Sequence, residues 1–341
     1  MKRSKYLDAP LLLPLLCIIL VFAFLVPSDT PETHWSFMKR SIENMTYLRQ
    51  QLLSEYEEAG LDGEAYAVVS AMTLGDKGSL THELREVYSV TGASHILALS
   101  GLHLSIIYML FTLLIPIRKW RIVTQALTII GIWAFAFLTG LSPSITRAAT
   151  MLTIYGLLSV GYREKMSINA LAFTAILLLL ISPSSLYNIG FQMSFLAVFG
   201  ILLFMPLFEC ILPQHVLQRY SLLKWLWGLI TVSISAQICV APLIAFYFHR
   251  FSVYFLLSNF IVIPCAYIII IGGLLLLLTH AALLVKLLTG TVSFMTQSLS
   301  TISSLPCASI ENININVVQV MLIYVIITCV YIIFFVTLHP K

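Results

Sequence analysis

Apolar runs long enough to cross a bilayer, separated by short polar clusters, make up most of this chain. After residue 95 they fall at about His95–Ile117, Ile122–Leu141, Ser144–Gly161, Ser167–Ile181, Tyr187–Phe208, Trp225–Phe248, Ser252–Leu278, Leu287–Pro306 and Val317–Leu338. A helix rises ~1.5 Å per residue, so about 20 apolar residues cross the hydrocarbon core. An earlier run, Pro10–Val26, follows Lys2, Arg3 and Lys5. No small-residue cleavage pattern follows Val26, which makes 1–26 an uncleaved first span rather than a signal peptide. The expectation is an all-α polytopic membrane bundle of about nine or ten spans, with broken or re-entrant helices. Leu287–Pro306, rich in Ser and Thr, is the weakest span, and the side of the C-terminus depends on it.

Residues 27–94 follow a different pattern. Ser36–Glu58 places Ile42, Met45, Leu48, Leu52 and Leu53 at three-to-four spacing, which predicts an amphipathic helix. Ala65–Leu74 is apolar but too short to cross, so it reads as a surface or re-entrant helix. Gly75-Asp76-Lys77-Gly78 is a turn, and Thr81–Ser89 is a second short amphipathic helix. The chain therefore divides into an N-terminal span (1–26), an extracytoplasmic amphipathic segment (27–94) and a transmembrane bundle (95–341).

Composition excludes an ordinary soluble domain. Charged residues make up 10% of the chain, against about a quarter in soluble proteins, and 59% is hydrophobic. The six cysteines (Cys17, Cys210, Cys239, Cys265, Cys307, Cys329) sit in or beside apolar runs with no CxxC pair. They read as small apolar residues rather than as a zinc site or a disulfide framework. Residues 27–94 hold eleven of the fifteen acidic residues against five basic ones, whereas from residue 95 onward eleven Lys/Arg face three Asp/Glu. That excess of +8 suits an anionic client, and it also follows from the positive-inside rule. Arg118, Lys119 and Arg121 fall in one connector, Arg163 with Lys165 and Arg219 with Lys224 in alternate later ones. This alternation puts both termini inside a cytoplasmic membrane and the acidic segment outside.

Four polar clusters interrupt the spans. The first is His95, Ser100, Gly101 and His103, where two imidazoles stand inside an apolar run and Ser100-Gly101 predicts a break. On a continuous helix Leu99 and His103 share a face, and a lone reading of this cluster is two histidines satisfying carbonyls near a membrane surface. The second is Leu141-Ser142-Pro143-Ser144-Ile145-Thr146-Arg147, in which Pro143 suits the first position of a helix. Arg147 then lies one turn into a span, either as an interfacial anchor or facing water. In the third, Asn188, Phe191 and Gln192 share a helical face with Ser194 adjacent. Amides in spans usually hold helices together at about 0.6–2 kcal/mol each. The fourth contains Ser233, Ser235, Gln237, Pro242, His249, Arg250, Asn259 and Pro264, the two prolines framing a hairpin of bent helices. A single conduit accommodates all four clusters, with Arg147, His103 and the amides offering donors to phosphate. Phe191, Phe195, Trp225 and Trp227 are available for base stacking or for packing against lipid.

The stretch His95-Ile-Leu-Ala-Leu-Ser-Gly-Leu-His-Leu104 resembles the signature of the ComEC family of competence proteins. The other clusters follow in the same order: Leu74-Gly-Asp76, Ser142-Pro-Ser-Ile-Thr-Arg147, Gly190-Phe-Gln-Met-Ser-Phe195, Ser235-Ala-Gln237 with Pro242, then Asn259 and Pro264. The resemblance implies a membrane domain that passes single-stranded DNA during natural transformation. The implied pathway residues are His95, Ser100, Gly101, His103, Ser142, Pro143, Arg147, Asn188, Gln192, Ser194, Gln237 and Asn259. Larger members add an OB-like domain and a metallo-β-lactamase-like nuclease domain. This chain has no HxHxDH-type cluster and no β-rich run, so it resembles the channel domain alone, a short or split member. Separate DNA-receptor, nuclease and motor proteins are then the expected partners besides single-stranded DNA and the bilayer, and a homo-dimer is compatible. No catalytic role, metal or cofactor is expected.

Two other readings compete with the channel. A secondary transporter of a small anion would use the same polar lining, with discontinuous helices at Gly101 and Pro143 presenting their N-termini. An intramembrane serine hydrolase with Ser100 as nucleophile is disfavoured, because His103 on the same helix would sit about 60° round it instead of across a cleft.

Overall fold

The computed structural model describes residues 36–114, 121–161 and 168–338. The expected first span and the connector residues Arg118, Lys119, Arg163 and Lys165 lie outside the described residues. The helices are α1 (Ser36–Glu58), α2 (Gly63–Thr73), α3 (His82–Val90), α4 (Ser94–Leu97), α5 (Gly101–Leu114), α6 (Arg121–Leu138) and α7 (Pro143–Gly161). They continue with α8 (Ile168–Ile181), α9 (Ile189–Glu209), α10 (Gln214–Arg219), α11 (Ser221–Phe248), α12 (Phe255–Thr279), α13 (Ala282–Ser303) and α14 (Val317–Leu338). A 3-10 turn, Pro183–Tyr187, precedes α9. Two short strands, β1 (Phe251–Ser252) and β2 (Ser309–Ile310), pair antiparallel.

This is the expected all-α polytopic bundle. Among the described residues α9, α11, α12, α13 and α14 are long and apolar enough to cross a membrane, while α5, α6 and α8 are shorter apolar helices. The Ser/Thr-rich stretch that reads as the weakest span belongs to α13, one of the five. The predicted run from His95 to Ile117 is broken, as its Ser-Gly suggests: Ala98 is extended (φ −97°, ψ 131°) between α4 and α5. Pro143 occupies the first position of α7, where its missing N–H costs no helical bond.

The apolar α2 does not lie on the surface. Ala65, Ala67, Val68, Val69, Ala71 and Met72 are fully or nearly fully buried, and the helix packs against α12 and α13. Small residues make this possible. A Cβ at Gly273 of α12 would come 2.7 Å from Thr73 Cγ2 and 3.1 Å from the Tyr56 hydroxyl. That hydroxyl donates to Thr73 Oγ1 (3.1 Å), which itself donates to the Val69 carbonyl (2.7 Å), so the buried polar groups are satisfied in a chain. Thr81 caps α3, accepting the Leu84 N–H at 3.2 Å.

One hydrophobic core runs from Tyr56 of α1 through α2, α4, α5, α6 and α7 to α12 and α13. A second, smaller cluster joins Phe204 and Leu207 of α9 to Cys239 of α11, covered by Ile327, Tyr331 and Phe335 of α14. Helix α8 packs on both α7 and α9 and so links the two. The α9–α11 seam is close, because a Cβ at Gly200 would lie 2.4 Å from the Ser235 carbonyl oxygen. Pro242 and Pro264 both sit inside their helices. Pro242 leaves a carbonyl of α11 without its helical N–H, and next to it the Tyr324 hydroxyl of α14 donates to the Cys239 carbonyl at 2.8 Å. The five described cysteines are free, Cys239 and Cys265 buried in the helix packing and Cys210, Cys307 and Cys329 exposed.

Candidate functional site

Ser100 is the residue immediately before α5, and His103 is the third residue within it. The Ser100 N–H donates to His103 Nδ1 at 3.2 Å, and the Ser100 hydroxyl lies 3.0 Å from the same nitrogen. This is half of a capping box: the third helical side chain reaches back to satisfy the N–H of the cap residue, with His in place of Glu or Gln. Because Nδ1 accepts from a backbone N–H, the proton of the neutral ring sits on Nε2. His103 is 0% exposed, and its Nε2 has no hydrogen-bond partner among the described residues. Ser100 and His103 therefore touch, contrary to the angle expected on a continuous helix, since Ser100 precedes α5 instead of lying on it. What the contact does is local capping, and no carboxylate or amide orients the far side of the ring among the described residues.

The same break leaves Leu99 buried against Gly75, where a Cβ would come 2.5 Å from Leu99 Cδ1 and 4.0 Å from the Thr139 carbonyl. Gly75 has φ +74°, a conformation that suits glycine. Its neighbour Asp76 pairs with Arg49 of α1 at 3.3 Å. Gly101 lies against α7, where a Cβ on it would come 3.7 Å from the Cβ of Ala148. Three polar motifs far apart in sequence, 74–76, 99–101 and 139–148, thus meet at one place.

The residue before Ala148 on α7 reaches the other way. Arg147 Nε donates to Ser194 Oγ of α9 at 3.0 Å, and Ser194 Oγ donates to the Gly190 carbonyl at 2.8 Å. Asn188 is the cap of α9, accepting the Phe191 N–H at 3.1 Å, so it lies outside the helix and does not share a face with Gln192 as a continuous helix would require. Gln192 donates to the Leu186 carbonyl (2.9 Å) and accepts from the Tyr247 hydroxyl of α11 (2.9 Å). Asn259 of α12 donates to Ser233 of α11 at 3.2 Å.

A clasp closes this end of the bundle. Arg250 pairs with Glu86 of α3 and Glu311, both at 2.9 Å, and donates to Ser89 at 3.1 Å. The Ser252 hydroxyl donates to the Val90 carbonyl, and His249 and Val253 bond to Ile313 and Ala308.

Comparison with known proteins gives this arrangement a family. A family model described as "Competence protein" matches residues 72–336, most of the chain and all four polar clusters. The chain belongs to the competence protein family. It is 30% identical over 242 residues to "ComE operon protein 3" of Bacillus subtilis (strain 168), covering 68% of this chain and 30% of that protein. It is 32% identical over 164 residues to an uncharacterized protein of Aquifex aeolicus (strain VF5), covering 48% of this chain and 39% of that one. It is 26% identical over 250 residues to the uncharacterized protein YcaI of Escherichia coli (strain K12), covering 71% and 32%. The matched region thus spans between about a third and two fifths of these relatives. No solved structure matches the chain.

In this competence protein the signature residues form separate contacts, one across the α7–α9 seam and one within the start of α5, rather than one continuous polar row. Arg147, Ser194 and Gly190 come together, as do Ser100 and His103. Ser142 Oγ is buried without a partner among the described residues, Pro143 and Asn188 are exposed, and Gln237 is half-buried outside these pairs. His95 is exposed and bonds to the Gly92 carbonyl (3.0 Å). Sequence reasoning missed Tyr247, the ion pair Arg49–Asp76 and the carboxylates that flank Arg250. Their partners lie between 27 and 164 residues away, so no local periodicity announces them.

Proposed function

We propose that the chain is the membrane passage of a DNA-uptake system, carrying a single strand across the cytoplasmic membrane. The observation that carries this reading is the meeting of motifs 74–76, 99–101 and 139–148, which Arg147 joins to 188–194, where helices α5, α7 and α9 begin. Polar groups converge there from helices that are otherwise apolar, and such groups inside a membrane body are costly unless used. With the N-terminus cytoplasmic these ends face outward and form the entrance. The passage performs no bond chemistry. It takes its strand from a separate receptor and nuclease, and its energy from a motor or the membrane potential. The residues that line it are His95, Ser100, Gly101, His103, Ser142, Pro143, Arg147, Asn188, Gln192, Ser194, Gln237 and Asn259.

The test is uptake of labelled DNA in cells lacking the gene, complemented by wild type or by Gln192→Leu together with Asn259→Leu. Uptake is expected to fall on deletion, return with wild type and stay low with the double variant at normal membrane levels. Unchanged uptake on deletion would sink the reading and turn attention to small-anion transport, the alternative that shares this lining.

A further inference from the structure

Arg147 is the one lysine or arginine buried among the described side chains, at 9% exposure. Burying a guanidinium is costly without a counter-charge. Arg49 and Arg250 each face a carboxylate, but Arg147 faces none among the described residues. Only its Nε is engaged, by Ser194 Oγ at 3.0 Å, and neither Nη group has a partner among the described residues. The guanidinium is aimed at the start of α9, where a Cβ on Gly190 would come 3.0 Å from Nη2 and 3.1 Å from Asn188 Oδ1. The glycine therefore leaves the space that the guanidinium faces open. The Ile189 and Gly190 N–H groups, in the first turn of the 21-residue α9, have no acceptor among the described residues. Asn188, exposed at the rim, has its Oδ1 committed to the Phe191 N–H and its side-chain amide N–H groups free. The free groups in this corner are donors, and they are joined by one positive charge.

The geometry points to an oxyanion site in which Arg147 Nη1 and Nη2 and the Gly190 N–H hold one phosphate-type group that enters past Asn188. A fork fixed at Nε and open at both Nη groups matches the paired oxygens of a phosphate, which a lysine cannot do. The helix N-terminus adds its own preference for an anion. The choice of a phosphodiester as the natural ligand rests on the proposed function. The oxyanion chemistry does not. Contact through the backbone alone makes the site indifferent to base sequence.

The experiment uses the full chain in phosphatidylcholine nanodiscs with three probes: a short oligothymidylate, its uncharged methylphosphonate counterpart, and orthophosphate as competitor. Wild type is expected to bind the phosphodiester strand and to release it to orthophosphate, with the methylphosphonate strand bound at least about tenfold more weakly. Arg147→Gln should lose that preference, and Arg147→Lys should recover it only in part. Gly190→Ala, a substitution favourable to the helix, should weaken binding while thermal stability persists, because its Cβ fills the cradle. Equal binding of both strands by wild type, or unchanged preference in both Arg147→Gln and Gly190→Ala, would overturn the site. Arg147-dependent binding of orthophosphate with none of the oligonucleotide would keep the site and remove DNA as its ligand. DNA uptake that survives deletion of the gene while this site binds orthophosphate would separate failure of the proposed function from failure of the site.

Discussion

Gly200 in the middle of α9 offers a sharp test of how the second layer is held. A methyl group there would sit 2.4 Å from the Ser235 backbone oxygen, 3.0 Å from Cys239 Sγ and 3.1 Å from its Cβ. The sulfur can turn away, but the carbonyl belongs to the backbone of α11 and cannot. Relief requires the two helices to separate by roughly 1 Å, a gap that forfeits a quarter to a half of the dispersion energy of each contact along the seam. Gly200→Ala should therefore cost about 1–3 kcal/mol, as overpacking a well-filled interior does. This outweighs the gain of up to ~1 kcal/mol that alanine brings to a helix. The seam also sets the register that lets Tyr247 reach Gln192 at 2.9 Å, so that bond should weaken with it. Gly228 of α11 is the control: nothing lies within 4 Å of its Cβ position, and Gly228→Ala should be neutral or slightly stabilising. The assay is thermal unfolding of the two variants in detergent, followed by the fluorescence of the native tryptophans. Equal midpoints for Gly200→Ala and Gly228→Ala would refute the close-seam reasoning.

Two further perturbations test the rest of the geometry. Replacing His103 with Ala should destabilise the start of α5 by about 0.5–2 kcal/mol, whereas His103→Gln should restore most of it, since Gln also serves as the third residue of a capping box. Hydrogen exchange of the Ser100 amide measures this, and equal protection in both variants would contradict capping. In the clasp, Glu86→Gln and Glu311→Gln should each loosen the loops around Arg250 by no more than about 1 kcal/mol, because all three side chains are partly exposed. The loss should shrink in high salt, and a double-mutant cycle run at low and high salt reads it directly.

Local patterns in the sequence carried much of the architecture, and their physical limits explain the rest. The amphipathic helix 36–58, the break at Ser100-Gly101, the helix start at Pro143 and the short helix that begins after Thr81 each follow from a few adjacent residues, and the structure has them all. Reading residues onto shared faces failed where a helix begins between them. Ser100 and Asn188 are caps, so angles counted through them place neither side chain correctly. The burial of α2 was not legible either, because the close approach it needs is made by Gly273, far along the chain on α12. Likewise Arg147 announced a polar position, but its bond to Ser194 and its cradle at Gly190 depend on how α7 meets α9.

The most direct measurement follows a strand along its route. In cells taking up DNA, a strand carrying a thiol-reactive group is offered to variants with a single cysteine, placed at Asn188 on the rim or at Ile332, which is exposed on the outer face of α14. A passage lined by the polar clusters predicts crosslinking at position 188 and none at 332. Crosslinking at neither position while uptake proceeds, or equally at both, would contradict it.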